Sequence, residues 1–151
     1  MISIVTLFVV CSLGEYVVHR WAMHRRGSSF FQSHAVEHHG HNRNENRHMG
    51  LSLGQWVVAN LSLSPLTITV SLLADPFFWI YQLAFTLWWF MSWGFIHRAI
   101  HDEPSFWWGA YLVPWFRWSR AHHLNHHKKV TTNFGAVFPW TDYLFGTHYK
   151  G

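Results

Sequence analysis

Most of the fourteen histidines in this 151-residue chain fall into four short blocks. These are His19-Arg-Trp-Ala-Met-His24, His34-Ala-Val-Glu-His38-His39, His97-Arg-Ala-Ile-His101 and His122-His123-Leu-Asn-His126-His127. Neutral imidazole is a common ligand for iron and zinc, and paired imidazoles from several segments are how one chain builds a multinuclear site. Long apolar stretches separate the second block from the third. A fold for this chain must therefore gather four distant blocks while keeping the stretches between them out of water. The pattern implies a metalloprotein whose metals sit at the edge of a membrane.

The apolar residues are gathered into runs. Ile2–Val18 contains only Cys11, Glu15 and Tyr16 as ionisable groups, and Leu51–Ala74 and Pro76–Ile96 contain no charge. A membrane helix needs about 20 mainly apolar residues, so all three runs qualify as spans, the first at the short end. Every Lys and Arg lies in 19–50 or 97–151, and none precedes the first run or flanks the Asp75-Pro76 connection. By the positive-inside rule the N-terminus is outside, while the four histidine blocks and the C-terminus are cytoplasmic. The first run resembles a retained signal-anchor, because its charges follow the apolar stretch instead of preceding it. The excess of Lys and Arg fits membrane orientation and anionic headgroups better than nucleic acid. A single cysteine excludes an intramolecular disulfide. The expected architecture is one all-α domain over residues 1–151: an integral membrane helical bundle of about three transmembrane helices under a cytoplasmic, histidine-rich di-metal cap. Residues 26–33 read as a turn into a short helix, and 40–50 as a surface loop. The aromatic, proline-interrupted segment 104–118 reads as interfacial, and the tail from Thr131 as folding back over the site.

On an α-helix, residues four apart share a face. His34/His38, His97/His101, His122/His126 and His123/His127 can each aim two imidazoles one way. His19 and His24 are five apart, roughly 140° around an ideal helix, so they serve different metals or the helix unwinds there. The adjacent pairs His38-His39 and His126-His127 are splayed by about 100°, which suits ligands divided between two ions. The expected ligand set is His19, His24, His34, His38, His39, His97, His101, His123, His126 and His127. Ten imidazoles are about what two metals require, and more than one can use. His41, His48 and His148 read as surface or hydrogen-bonded residues. Glu15 lies in an apolar run, where a carboxylate normally has a partner. It sits one turn before His19, so it is expected either to take the second N–H of that imidazole or to serve helix packing. A membrane metal transporter or metal-binding protein is the competing class. Its sites usually lie at mid-membrane and include carboxylates, whereas these histidines cluster at one face.

In order, Glu15-x-x-x-His19-Arg-Trp-x-Met-His24, His34-x-x-x-His38-His39, His97-x-x-x-His101 and His122-His123-Leu-x-His126-His127 resemble the fatty acid hydroxylase superfamily. That membrane group includes sterol desaturases, fatty acid hydroxylases and carotenoid hydroxylases. The tail Asn133-Phe-Gly-x-x-x-Pro-Trp-x-Asp142-x-Leu-Phe-Gly-Thr147 is similar to the family's closing motif. Two departures stand out: three residues separate His34 from His38 where many members have two, and Thr141 separates Trp140 from Asp142. The resemblance implies a non-haem di-iron oxygenase that hydroxylates a C–H bond of a lipid (fatty acyl, sterol or related) with O2. It implies two iron ions, replaceable by zinc in a purified sample, and no catalytic residue beyond the metal ligands. Electrons are expected from a separate carrier of cytochrome b5 or ferredoxin type, and no nucleic acid is expected as a partner. Glu15, His122, Asn133 and Asp142 are expected to support the ligands from behind. Trp88, Trp89, Phe90, Trp93 and Phe95 either line an acyl or isoprenoid channel or face lipid. Carotenoid ring hydroxylation and lipid desaturation are the alternatives within the superfamily. A member that keeps the fold but has lost activity is a further one.

Overall fold

The computed structural model describes residues 4–28, 30–40, 73, 76–101 and 112–151. Nearly all of the expected second span, His41, His48 and residues 104–111 of the aromatic segment lie outside the described residues. All regular structure among the described residues is helical, in keeping with the all-α expectation. Helix α1 (Ile4–Val17) runs into a π-helical segment π1 (Val18–Met23), and a second such segment, π2, covers Gln32–His38. Helix α2 (Phe78–Met91) runs into π3 (Ser92–Ile96) and then α3 (His97–His101), followed by α4 (Pro114–Lys128) and α5 (Trp140–Leu144). No helix among the described residues is long and apolar enough to cross a membrane. Helices α1 and α2 each span 14 residues before the backbone widens into a π turn.

Local sequence explains these elements. Helix α1 is apolar on all sides, the pattern of a helix surrounded by protein or lipid, and Ser12 returns its hydroxyl to the Phe8 carbonyl at 2.7 Å. Helix α4 opens with Pro114 in its first turn, where the missing N–H is harmless. It is strongly one-sided: Phe116, Ser119, His122, His123 and His126 are buried, at the spacing of a single helix face.

Helix α1 packs along α2 and touches α5, while α3 packs on α4. Phe138, in the tail between α4 and α5, ties the first of these pairs to α4. Its ring lies 4.7 Å from Phe8, 5.0 Å from Trp88 and 5.3 Å from Trp115. Such aromatic pairs contribute about 0.5–1.5 kcal/mol each beyond the area they bury. A smaller core of Ala99, Ile100 and Phe116 joins α3 to α4.

The tail is held by polar groups rather than by regular structure. Ser119 donates to the Ala136 carbonyl at 2.6 Å, and the Val137 N–H donates to Glu15 at 2.9 Å. Asn133 takes φ = 58°, a left-handed conformation that asparagine tolerates. Its side chain donates to the carbonyls of His122 and Tyr149 and accepts from the Tyr149 N–H. Helix α5 closes at Gly146 (φ = 65°), with the Thr147 N–H on the Asp142 carbonyl at 2.8 Å. This is the six-residue closure that favours glycine. Gly135 is the tightest point: a Cβ there would meet Thr141 Oγ1 at 2.6 Å and the Phe138 carbonyl at 2.8 Å. Gly135→Ala is therefore expected to destabilise the protein by about 1–3 kcal/mol, read as a lower midpoint in thermal denaturation. An unchanged midpoint would show that the tail yields at this position.

Candidate metal centre

The π segments set the register of the histidines. In π2 the His39 N–H bonds to the His34 carbonyl, and at the end of π3 the His97 N–H bonds to the Ser92 carbonyl. Both are five-residue steps, which widen the turn and bring residues five apart onto one face. His19 and His24, astride π1, have ring centroids 5.1 Å apart, and His34 and His39 are 4.8 Å apart. Where the backbone is α-helical, residues four apart pair instead: His97 with His101 at 4.9 Å and His123 with His127 at 4.8 Å. One open spacing question is decided by this, and one spacing argument is corrected. His19 and His24 converge because the helix widens, and His34 and His38 part because π2 is not an α-helix.

Ten histidines collect into two groups of five. One holds His19, His24, His34, His39 and His126; the other holds His38, His97, His101, His123 and His127. Within each group the potential ligand atoms all lie within 4.8 Å of one another. The adjacent pairs His38-His39 and His126-His127 divide between the groups, so π2 and α4 each serve both. The groups abut, with His39 and His127 ring centroids 4.3 Å apart. Of the aromatic residues named for a channel, Trp88, Phe90 and Phe95 have described side chains. Trp88 packs on Phe8 and Phe138, Phe90 is exposed, and the side chains of Trp89 and Trp93 lie outside the described residues. Phe95 borders an apolar cavity of about 280 Å³ with Met91, Ile96, Ala99 and Phe116.

The nitrogens face inward through Nε2. His19 and His34 approach at 2.9 Å, His34 and His39 at 3.1 Å, and His24 and His126 at 3.1 Å. In the second group, His123 Nε2 lies 2.8 Å from that of His97 and 3.0 Å from those of His101 and His127. His19 Nδ1 sits 2.5 Å from the Phe134 carbonyl, and His126 Nδ1 sits 2.5 Å from the Thr132 carbonyl. A carbonyl only accepts, so each Nδ1 carries the proton and each Nε2 offers a lone pair to the centre. Burial pushes the imidazoles away from the charged form: His24 and His101 fall to about 4, and His38 and His126 to about 3. Burial, then neighbouring imidazoles, hold His19, His34, His39, His97 and His123 well below the ordinary value. His38 Nε2 is buried with no hydrogen-bond partner among the described residues. Inward lone pairs on neutral, desolvated imidazoles fit a pair of metal ions of the kind imidazole favours, iron and zinc among them.

Each of the four residues expected behind the ligands makes its own set of contacts. Glu15 is buried beside the centre, but it accepts from the Val137 N–H at 2.9 Å, and the His19 Nδ1–H goes to the Phe134 carbonyl. Asp142 accepts from the N–H groups of Phe134 and Gly135, both at 2.7 Å, from the Thr147 hydroxyl at 2.6 Å and from His122 at 2.9 Å. Burial works to raise its carboxyl, but the His122, Thr147 and Gly135 hydrogen bonds outweigh it and hold the group below the usual value. Asp142 therefore reaches His19 through one peptide, gripping the Phe134 N–H while the Phe134 carbonyl grips the imidazole. His122 belongs to neither group; it stacks on His148 at 5.3 Å, which in turn stacks on Tyr143. Asn133 shapes the turn that carries Phe134. The carbonyls of Thr132 and Phe134 were missed by sequence reasoning. The only signal for them was the position of Asn133 and Asp142 on either side of Phe134. Loss of the Asp142 carboxylate is expected to loosen the His19–His126 group ahead of the other. Asp142→Ala should weaken binding of one of two cobalt ions by about 10–100-fold in a spectroscopic titration, and equal weakening of both would contradict the relay.

The family model described as fatty acid hydroxylase matches residues 4–147. Neither the curated proteins nor the solved structures give a match. The matched stretch takes in every histidine of both groups, as well as Glu15, His122, Asn133 and Asp142. On that match the chain belongs to the fatty acid hydroxylase family, a membrane-associated family of lipid hydroxylase and desaturase type oxidoreductases.

Proposed function

We propose that the ten histidines hold two iron ions and that the protein hydroxylates a C–H bond of a lipid chain with O2. The observation that carries this reading is the division of His38-His39 and His126-His127 between two abutting five-imidazole groups. Neither group forms without a segment that also builds the other, which suits two metals working on one substrate. Bound iron would supply the activation of O2 and the removal of hydrogen from an unactivated carbon. The chain supplies the rest. Burial keeps the imidazoles neutral, the Phe134 and Thr132 carbonyls fix two of them in the ligating tautomer, and the tail shields the centre from water. Glu15 holds that tail to α1 through Val137.

The membrane reading has three spans, with the N-terminus outside and the histidines and C-terminus cytoplasmic. It is supported by charge placement and by an outward apolar stripe on α2, where Trp79, Leu83, Leu87 and Phe90 are each roughly half exposed. Hydroxylation consumes two electrons along with O2, and we assign their delivery to a separate electron-transfer protein.

Lipid profiling by mass spectrometry tests the proposal, using a host supplied with fatty acids, sterols or carotenoids. Iron-loaded protein should yield a lipid heavier by one oxygen atom, whereas loss of two hydrogens would identify a desaturase. His126→Ala and His38→Ala should abolish the product and lower bound metal, while His148→Ala should leave both near wild type. Chelation should stop product formation, with iron restoring it and zinc failing to do so. Tight metal binding with no change in any lipid, given a working electron donor, would favour a metal-binding protein without oxygenase activity.

A further inference from the structure

Among the described side chains, every exposed charge is positive: Arg25, Arg26, Arg98, Arg117, Lys128, Lys129 and Lys150. The two described side-chain carboxylates, Glu15 and Asp142, are buried at 1% and 0% exposure and are engaged by the tail. The cations are not spread evenly. Helix α4 runs in the same sense as α1: near its start Trp115 meets Phe138, which packs on Phe8, and near its end His126 meets His24. Arg117, two residues after Trp115, belongs to the apolar end of this frame, whereas Arg98 lies between His97 and His101 of the second group. The other five gather beside His24, His126 and His127. Arg25 and Arg26 directly follow His24, and Lys128 and Lys129 directly follow His127. Lys129 lies 4.8 Å above the Tyr149 ring, and Gly151, next to Lys150, abuts the Asn125 side chain.

Hydroxylation balances as RH + O2 + two electrons + two protons giving ROH + H2O, so a carrier must deliver two electrons close to the histidines. We propose that Arg25, Arg26, Lys128, Lys129 and Lys150 form the docking surface for an acidic, one-electron carrier protein seated over His24 and His126. The inference rests on the oxygenase reading above. Each encounter oxidises the carrier by one electron and reduces the metal centre by one, and two encounters serve each turnover. Opposite charge steers the encounter and raises its rate, an effect that falls as salt rises. Anionic headgroups are the competing occupant, but they would be met first at the apolar end, where Arg117 lies.

The experiment uses the full chain in bilayers of neutral lipid, with a reduced acidic [2Fe–2S] ferredoxin as probe. The variant combines Arg25→Glu, Arg26→Glu, Lys128→Glu and Lys129→Glu; Arg117→Glu is the control. At low salt the second-order rate of reduction of iron-loaded protein should fall at least about tenfold in the fourfold variant, and its salt dependence should flatten. The control, the bound metal and reduction by a small uncharged reductant should be unchanged. Ferredoxin affinity for zinc-loaded protein, which accepts no electron, should weaken to a similar extent. Unchanged rate and affinity in the fourfold variant would overturn the proposal, as would an effect confined to binding of phosphatidylserine vesicles. Weakened ferredoxin binding without any electron uptake by iron-loaded wild-type protein would support the surface and count against the oxygenase reading instead.

Discussion

Ten imidazoles aimed at two points form an arrangement that opposes itself. Their Nε2 lone pairs face one another at about 3 Å, away from the water that would otherwise solvate them. Cations bound between them would turn that repulsion into ligation, and the protein must hold the rings in place for this to happen. The described structure does so with backbone. The Phe134 and Thr132 carbonyls take the outer N–H groups of His19 and His126, and Asp142 clamps the peptide that carries the first of these. The tail after α4 is thus part of the centre: with Phe138 wedged among Phe8, Trp88 and Trp115, it couples the packing of the apolar helices to the orientation of the ligands.

Helix register is the second constraint. An α-helix presents residues four apart and a π turn presents residues five apart, and the chain uses both. The group containing His126 takes two pairs five apart from π-helical segments, while the group containing His123 takes two pairs four apart from α-helical ones. The remaining member of each is the neighbour of a histidine committed to the other group. A one-residue shift in π2 would exchange His38 and His39 between groups, so the widened turns are tied directly to how the ligands are shared.

Much of this was legible in the residues. Four blocks rich in histidine, with the adjacent pairs His38-His39 and His126-His127, announced a divided ligand set, and their order together with the closing motif pointed to the family. Helical structure followed from the apolar runs and from the one-sided pattern of α4. Other features were hidden for physical reasons. Spacing alone cannot tell an α turn from a π turn, so His34 was paired with His38, and His19 with His24 was left undecided. Carbonyl partners carry no side-chain signature, so Glu15, being the nearest carboxylate, stood as a candidate partner of His19 beside a role in helix packing. In the structure it serves Val137, because a buried tail must satisfy its N–H groups as well as position its ligands.

The central claim is that two metal ions sit among imidazoles alone. X-ray absorption at the iron edge of protein grown with iron, combined with a metal count on the same sample, tests it most directly. The account predicts two irons per chain, each with a nitrogen-dominated shell near 2.0–2.2 Å, roughly the range of metal–imidazole bonds. A single iron per chain, or a shell containing sulfur, would contradict it.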